Sequence, residues 1–89
     1  QVFLDLGMNK LTELPEDLKN LKSLKTLNVS CNKLTSLPNV IFTQFPRLTS
    51  LLASENELTH IPDTLYTVQT LNYIDLSQNK LLKVIFIFN

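Results

Sequence analysis

The sequence predicts an α/β solenoid in which short parallel strands form one face and short helical or 3₁₀ turns form the opposite face. A motif of two apolar residues flanking a variable one, then Asn, then Leu, occurs four times. The asparagines are 23, 24 and 23 positions apart, and a fixed period in this range is typical of a solenoid. Between copies the apolar spacing changes from two to three. Residues 1–89 are therefore interpreted as one repeat domain of about four repeats, the first and last incomplete, taken from a longer protein.

Apolar residues at alternate positions define the strands. The two apolar columns are Leu4, Leu27, Leu51 and Ile74, followed by Leu6, Val29, Ala53 and Leu76. Alternation with a period of two is typical of a half-buried strand. We expect neighbouring copies to pair as parallel strands about 4.8 Å apart.

The asparagine column follows each strand, where the chain must bend toward the core. Its members are Asn9, Asn32, Asn56 and Asn79. A carboxamide both donates and accepts hydrogen bonds, so it can satisfy backbone groups that a tight bend leaves unpaired. A buried polar side chain is tolerated only with such partners. We therefore expect a structural ladder of hydrogen bonds at these positions rather than ligand contacts.

Proline and a spacing of three mark the side opposite the strands. Pro15, Pro38 and Pro62 follow the bend, and proline suits the place where an extended segment turns into a helix. The apolar residues three positions apart are Leu18, Leu21 and Leu24 in the first repeat, Phe42, Phe45 and Leu48 in the second, and Leu65, Val68 and Leu71 in the third. This spacing predicts one or two turns of 3₁₀ or α-helix.

Two segments depart from the repeat. The second repeat has one extra residue, which displaces Ile41, and we interpret it as a wider turn rather than a binding patch at 40–42. At the C-terminal end Ile85, Phe86 and Ile87 replace an expected proline and two polar residues. This apolar run predicts either packing on a further repeat or a segment foreign to the array. In both cases it favours self-association.

Charge and cysteine content narrow the classes of partner and location. Eight basic and eight acidic residues cancel without forming blocks, which argues against nucleic acid or an anionic membrane as the main partner. No apolar run reaches the roughly 18 residues of a membrane span. Cys31 is the only cysteine, which favours a reducing, cytoplasmic location. Asn28-Val29-Ser30 is a glycosylation sequon that favours secretion, but we expect it to be unused because it lies within a strand.

Catalysis, metal binding and cofactor binding find little support in the sequence. Cys31 and His60 are the only members of a possible thiol dyad, and they occupy different columns of the repeat. One His and one Cys are too few for a metal site. Gly7 is the only glycine, so a glycine-rich phosphate loop is excluded. The sequence predicts a protein that is not an enzyme and needs no cofactor.

With these columns in place the pattern reads LxxLxxLxLxxNxLxxLPxxLxxL, and the chain resembles the leucine-rich repeat family. The segments LKSLKTLNVSCNKLTSLP and VQTLNYIDLSQNKL carry the resemblance most closely. LPEDLKNLKSL in the 23-residue form is similar to the intracellular class found in scaffolds, whereas LPNVIFTQFPRL is closer to the class of extracellular receptors. The resemblance implies a curved solenoid that binds proteins on its concave, strand-bearing face.

The variable residues around the strands are the candidate partner-binding residues. They are Phe3, Asp5, Thr26, Asn28, Ser30, Ser50, Leu52, Ser54, Glu55, Tyr73, Asp75, Ser77 and Gln78, with Gly7, Met8 and Cys31 in the same columns. A few apolar anchors among small polar groups suit a protein interface. We expect Leu52 and Tyr73 to form one contact patch with Asp75 and Glu55 at its rim. The alternative for Tyr73 is that it merely covers the sheet.

Three functions are compatible with this sequence. The leading interpretation is an intracellular interaction module with a scaffold or adaptor role in signalling, whose partner is another protein. The second is a piece of an extracellular receptor ectodomain, and the third is a substrate-selecting regulatory segment of a larger enzyme such as a kinase, phosphatase or ubiquitin ligase. Fold-level analogy alone does not choose among them.

Overall fold

The computed structural model describes residues 3–38, 45–62 and 70–80. Each repeat contributes one three-residue strand: β1 (Phe3–Asp5), β2 (Thr26–Asn28), β3 (Ser50–Leu52) and β4 (Tyr73–Asp75). These strands form one parallel sheet in the order β1-β2-β3-β4. Strand order follows sequence order because each repeat stacks on the preceding one. The predicted α/β solenoid with short parallel strands is confirmed.

The register aligns the repeats residue by residue. Three rows run across the sheet: Phe3, Thr26, Ser50 and Tyr73; Leu4, Leu27, Leu51 and Ile74; Asp5, Asn28, Leu52 and Asp75. Leu27 and Leu51 in the middle row are 0% exposed. Because side chains alternate along a strand, the middle row faces the core and the other two rows face away from it.

Stacked leucines form most of the core. Its buried members among the described residues are Leu24, Leu27, Val29, Leu34, Leu37, Phe45, Leu48, Leu51, Ala53, Leu58 and Leu71. Phe45 and Leu48 are 3% and 1% exposed, so the spacing of three in the second repeat marks core positions there. Ala53 is small for its column yet 0% exposed, so the neighbouring repeats close over it.

A 3₁₀ helix, Glu16–Asn20, lies on the side opposite the strands in the first repeat. Pro15 precedes it with φ −62° and ψ 142°, an extended conformation from which the chain enters the turn. The Leu18 amide donates to the Pro15 carbonyl at 3.3 Å, and the Leu21 amide donates to the Leu18 carbonyl at 3.0 Å. Proline followed by a short 3₁₀ turn is what the spacing predicts for this repeat.

Several sequence predictions fall on segments outside the described residues. They concern residues 39–44, which include the displaced Ile41, residues 63–69 of the third turn, and the apolar end within 81–89. These stay predictions. Within the described ranges, no helix is long and apolar enough to cross a membrane.

Candidate functional site

Asn56 joins its own turn to the preceding repeat. It is 6% exposed, and its Nδ2 donates to the carbonyls of Val29 at 3.0 Å, Ala53 at 3.2 Å and Ser54 at 3.1 Å. Its Oδ1 accepts from the Leu34 amide at 3.1 Å. One side chain therefore satisfies four backbone groups that the bend leaves unpaired.

Asn32 and Asn79 occupy the same place in their repeats. Asn32 donates back to the Leu6 carbonyl at 3.0 Å and accepts from the Leu11 amide at 3.0 Å. Asn79 donates back to the Ala53 carbonyl at 3.0 Å. The asparagines therefore connect one repeat to the next as a ladder, in addition to the hydrogen bonds of the sheet.

Asn9 belongs to the first repeat and differs from the other three. Its Nδ2 donates to the carbonyls of Leu6 at 2.9 Å and Gly7 at 3.2 Å, both within its own turn. The side chain is exposed, and no described repeat precedes it.

The residue before each asparagine adopts the left-handed backbone conformation. The φ angles are 59° at Met8, 59° at Cys31, 53° at Glu55 and 54° at Gln78. Non-glycine residues rarely adopt this region, so its occurrence in all four copies shows that the bend requires it. Sequence reasoning treated these residues only as surface positions, because no glycine marks the column.

Three of the four strand ends are capped by side chains of the strands themselves. An oxygen of the third strand residue accepts the amide two positions later: Asp5 from Gly7 at 2.8 Å, Asn28 from Ser30 at 3.0 Å, and Asp75 from Ser77 at 3.0 Å. This is an Asx turn, and Asp or Asn followed two positions later by Gly or Ser is the signal that could have revealed it. The side chains predicted to bind a partner at these positions also hold their own turns.

The Asp75 carboxylate receives a further hydrogen bond from Ser77. The Ser77 hydroxyl donates to Asp75 Oδ1 at 2.7 Å. Hydrogen bonds from this hydroxyl and from the Ser77 amide favour the ionised form, and they lower the pKa of Asp75 below its ordinary value.

The third repeat lacks this cap, because Leu52 stands where the other strands have Asp or Asn. The Ser54 amide instead donates to the hydroxyl oxygen of Ser30, in the preceding repeat, at 3.2 Å. The Ser54 hydroxyl also donates to this oxygen at 3.2 Å. The Ser54 amide of the third turn therefore still has a hydrogen-bond acceptor. At the same time β3 presents the half-buried, apolar side chain of Leu52 on the face away from the core.

We call this side of the sheet the outward face. It consists of the rows that begin at Phe3, Asp5, Gly7 and Met8, which together contain all sixteen variable residues singled out in the sequence. Phe3 and Tyr73, at the two ends of one row, are 52% and 55% exposed. Strand spacing and rise place Leu52 and Tyr73 about 8 Å apart between Cα atoms, on neighbouring strands of the same face.

The acidic residues expected at the rim of this patch lie next to it. Asp75 is the register partner of Leu52 on the adjacent strand. Glu55 follows Leu52 by three residues, is exposed, and its Oε2 accepts a hydrogen bond from the Cys31 thiol at 3.3 Å. The sheet therefore brings an apolar pair and two carboxylates onto one small area.

Cys31 and His60, the possible thiol dyad, form hydrogen bonds to different residues. The hydrogen bond to Glu55, partial burial and the negative charge of Glu55 raise the pKa of the Cys31 thiol, which makes the thiolate scarcer at neutral pH. His60 is exposed, and its Nδ1 lies 3.1 Å from the Thr59 hydroxyl oxygen. In residues 3–38, 45–62 and 70–80, no three His, Cys, Asp or Glu side chains are close enough together to hold a metal ion.

Known proteins resemble this chain over most of its length. The family model of the leucine rich repeat matches residues 3–58. Oligodendrocyte-myelin glycoprotein of Mus musculus is 37% identical over 90 residues, which cover 99% of this chain and 20% of that protein. Lumican of Rattus norvegicus is 37% identical over 81 residues, 89% of this chain and 23% of lumican. MAP kinase phosphatase with leucine-rich repeats protein 3 of Dictyostelium discoideum is 37% identical over 74 residues, 83% of this chain and 8% of the phosphatase.

The relatives differ in kind and are much longer than this chain. The chain spans between 8% and 23% of the length of these three proteins. Their names include a glycoprotein and a phosphatase, and another relative, 38% identical over 78 residues, is named receptor-like protein 9a of Arabidopsis thaliana. Because the family model covers more than half of the chain, and four stacked copies of its motif form the sheet, the chain belongs to the leucine-rich repeat family.

Proposed function

We propose that this chain is a protein interaction module that binds a protein partner on its outward face, in a scaffold or adaptor role. Leucine-rich repeats are in general modules for protein interaction, and the relatives carry them in proteins of several kinds. The observation that carries the proposal is that Leu52 and Tyr73, which is 55% exposed, lie on neighbouring strands of one face. Interfaces concentrate their affinity in a few such anchors, among which Tyr is enriched.

The surroundings of this pair support a binding role. Ser50 and Ser54, which flank Leu52 on the outward face, are small, so a partner side chain can approach Leu52 closely. Parallel pairing and the Asn79 hydrogen bonds to Leu76 and Ser77 hold β4 and its turn in place. A preorganised surface loses little conformational entropy on binding, which favours affinity.

The proposal is tested with variants of the 89-residue chain used as bait. Proteins captured by the wild-type chain are identified, and each is then titrated against Tyr73→Ala and Leu52→Ala. We expect each substitution to weaken a partner by about 1 to 2 kcal/mol, which is roughly five- to thirtyfold in Kd. The matched control is Lys22→Ala, an exposed residue two positions after the 3₁₀ helix, which should leave the affinity unchanged. Equal losses in all three variants, or none in the first two, would place binding elsewhere.

The cytoplasmic location stays a prediction, and Asn28 provides its test. Asn28 lies at the end of β2, is half-buried, and its Oδ1 accepts the Ser30 amide. Because Asn28 is half-buried and ends a strand of the sheet, we expect it to carry no glycan, so the chain expressed through a secretory pathway should show no mass change on treatment with an N-glycosidase. A glycan at Asn28 would instead favour the receptor ectodomain alternative.

A further inference from the structure

We infer that the partner of the outward face is a basic protein segment, with Lys or Arg side chains on either side of one apolar side chain. This inference rests on the proposed function, because it specifies what the outward face recognises. It follows from the distribution of charge on that face and from the position of Leu52 within it.

Charge is distributed unevenly between the outward face and the rest of the chain. Three of the eight acidic residues, Asp5, Glu55 and Asp75, lie on the outward face, and none of the eight basic residues does. Since the whole chain is formally neutral, the remainder is net positive. A surface with charges of one sign selects a partner of the opposite sign and steers its approach.

The three carboxylates are not neutralised by cations of the described part of the chain. The ion pair there joins Lys80 to Glu57 at 3.9 Å, and neither residue is on the outward face. None of the three carboxylates has a described Lys or Arg nitrogen within 4.0 Å. The exposed lysines Lys10, Lys33 and Lys80 each follow an asparagine of the ladder and so lie outside the outward face. A partner can therefore supply the charges that these carboxylates lack.

Leu52 fixes where the apolar part of the partner should lie. It stands where Asp or Asn caps the other three turns, and its side chain cannot accept a hydrogen bond. The Ser54 amide therefore donates to the Ser30 hydroxyl oxygen instead. Its register partner is Asp75, and Glu55 lies three residues further along the chain. An apolar side chain that packs on Leu52 and Tyr73 thus brings its basic neighbours close to both carboxylates.

The variants that test this inference copy residues found in other repeats. Asp75→Asn keeps an oxygen for the Ser77 amide, as Asn28 does for Ser30. Glu55→Gln introduces glutamine at the left-handed position, where the fourth repeat already has Gln78. The double variant Glu55→Gln/Asp75→Asn therefore removes two charges from the face without removing a backbone hydrogen bond. The matched control is Glu13→Gln/Asp17→Asn, which removes two exposed charges outside the face.

The experiment is a selection of a random dodecapeptide phage library against the 89-residue chain, followed by fluorescence polarisation of the enriched peptides. We expect these peptides to carry net positive charge and an apolar residue. An exposed ion pair changes an affinity by up to about fivefold, so the double variant should raise Kd by roughly three- to thirtyfold. The loss should shrink in high salt, where exposed charges are screened. The control variant should change Kd by less than about twofold.

The outcomes separate this inference from the proposed function. Neutral or acidic peptides that Tyr73→Ala weakens but the double variant does not would overturn the basic partner while leaving the outward face as the binding site. A lack of any enriched peptide that Tyr73→Ala weakens would overturn both. Self-association of the chain that Glu55→Gln/Asp75→Asn abolishes, measured by analytical ultracentrifugation, would make a second copy the occupant and overturn the inference.

Discussion

The inner and outer repeats carry the same motif but differ in how much of it is buried. Leu27 and Leu51, on β2 and β3, are 0% exposed, whereas Leu4 on β1 is half-buried. Asn32 accepts and donates hydrogen bonds across two repeats, whereas Asn9 bonds only within its own turn. The same residue therefore contributes different amounts of stability according to its neighbours, as expected for a chain in which each repeat contacts only the adjacent ones.

The largest expected difference in the free energy of unfolding is between the variants Asn56→Ala and Asn9→Ala. Removing the Asn56 side chain leaves backbone groups of four residues without their partner in a buried turn, and each such group costs about 1 to 3 kcal/mol. We expect Asn56→Ala to lower the free energy of unfolding by about 4 kcal/mol, or to prevent folding, and Asn9→Ala to lower it by about 1 kcal/mol or less. Urea unfolding followed by circular dichroism measures both. Equal losses would mean that the ladder between repeats adds little.

Leu27→Ala and Leu4→Ala compare the same substitution in an inner and an outer strand. Deleting a fully buried leucine costs about 2 to 5 kcal/mol, because transfer free energy is lost and a cavity remains. We expect the free energy of unfolding to fall by about 3 kcal/mol in Leu27→Ala and by about 1 to 2 kcal/mol in Leu4→Ala, since Leu4 keeps part of its surface in water. The same urea experiment gives both values. A larger loss at Leu4 would contradict the ranking of the two strands.

The left-handed residue should respond alike in inner and outer repeats, which limits the comparison. All four φ angles lie between 53° and 59°, so each copy carries the same conformational cost. Cys31→Gly in an inner repeat and Gln78→Gly in an outer repeat should each stabilise the chain by about 0.5 kcal/mol, because glycine removes the steric cost but adds entropy to the unfolded chain. Gln78→Ala is the control and should bring no gain. A gain from alanine equal to that from glycine would show that the side chain, not the backbone conformation, matters.

The smallest expected effect is a dependence on pH that an outer turn has and an inner turn lacks. Asp75 caps the turn after β4 and Asn28 caps the turn after β2, and only the former titrates. Since folding lowers the pKa of Asp75, its contribution is present above the ordinary carboxyl value of 3.8 and is lost as pH falls through the lower folded value.

Asp75→Asn tests this dependence. The wild-type chain should lose stability relative to the variant when urea unfolding is repeated at pH values from 5 down to about 3. Curves for the two chains that stay parallel over this range would show that the Ser77 hydrogen bonds do not favour the ionised carboxylate.

Most of the fold could be predicted from the sequence, because the motif recurs at a nearly constant period. Leu27, Leu34, Leu51 and Leu58 fall in columns read directly from the sequence, and each is 0% exposed. The short strands, their parallel order and the 3₁₀ turn after Pro15 also follow from the spacing. Periodicity predicts these features because burial recurs with the repeat.

The candidate site is less predictable, because its geometry depends on contacts between repeats. The Ser30 hydroxyl reaches Ser54, 24 residues away, only after the strands have stacked in register. Asp5 and Asp75 are both surface carboxylates and turn caps, and the second role follows from a local pattern of Asp with Gly or Ser two positions later. The left-handed conformation of Met8 has no signal in its residue type.

A titration followed by two-dimensional ¹H–¹⁵N NMR tests the central claim most directly. The labelled chain would be titrated with the selected dodecapeptide of highest affinity. Binding on the outward face predicts that the largest shift changes occur at the amides of Leu52, Tyr73 and Asp75, with little change in the 3₁₀ helix Glu16–Asn20. Shift changes concentrated in that helix, with the β3 and β4 amides unchanged, would contradict the outward face as the binding site.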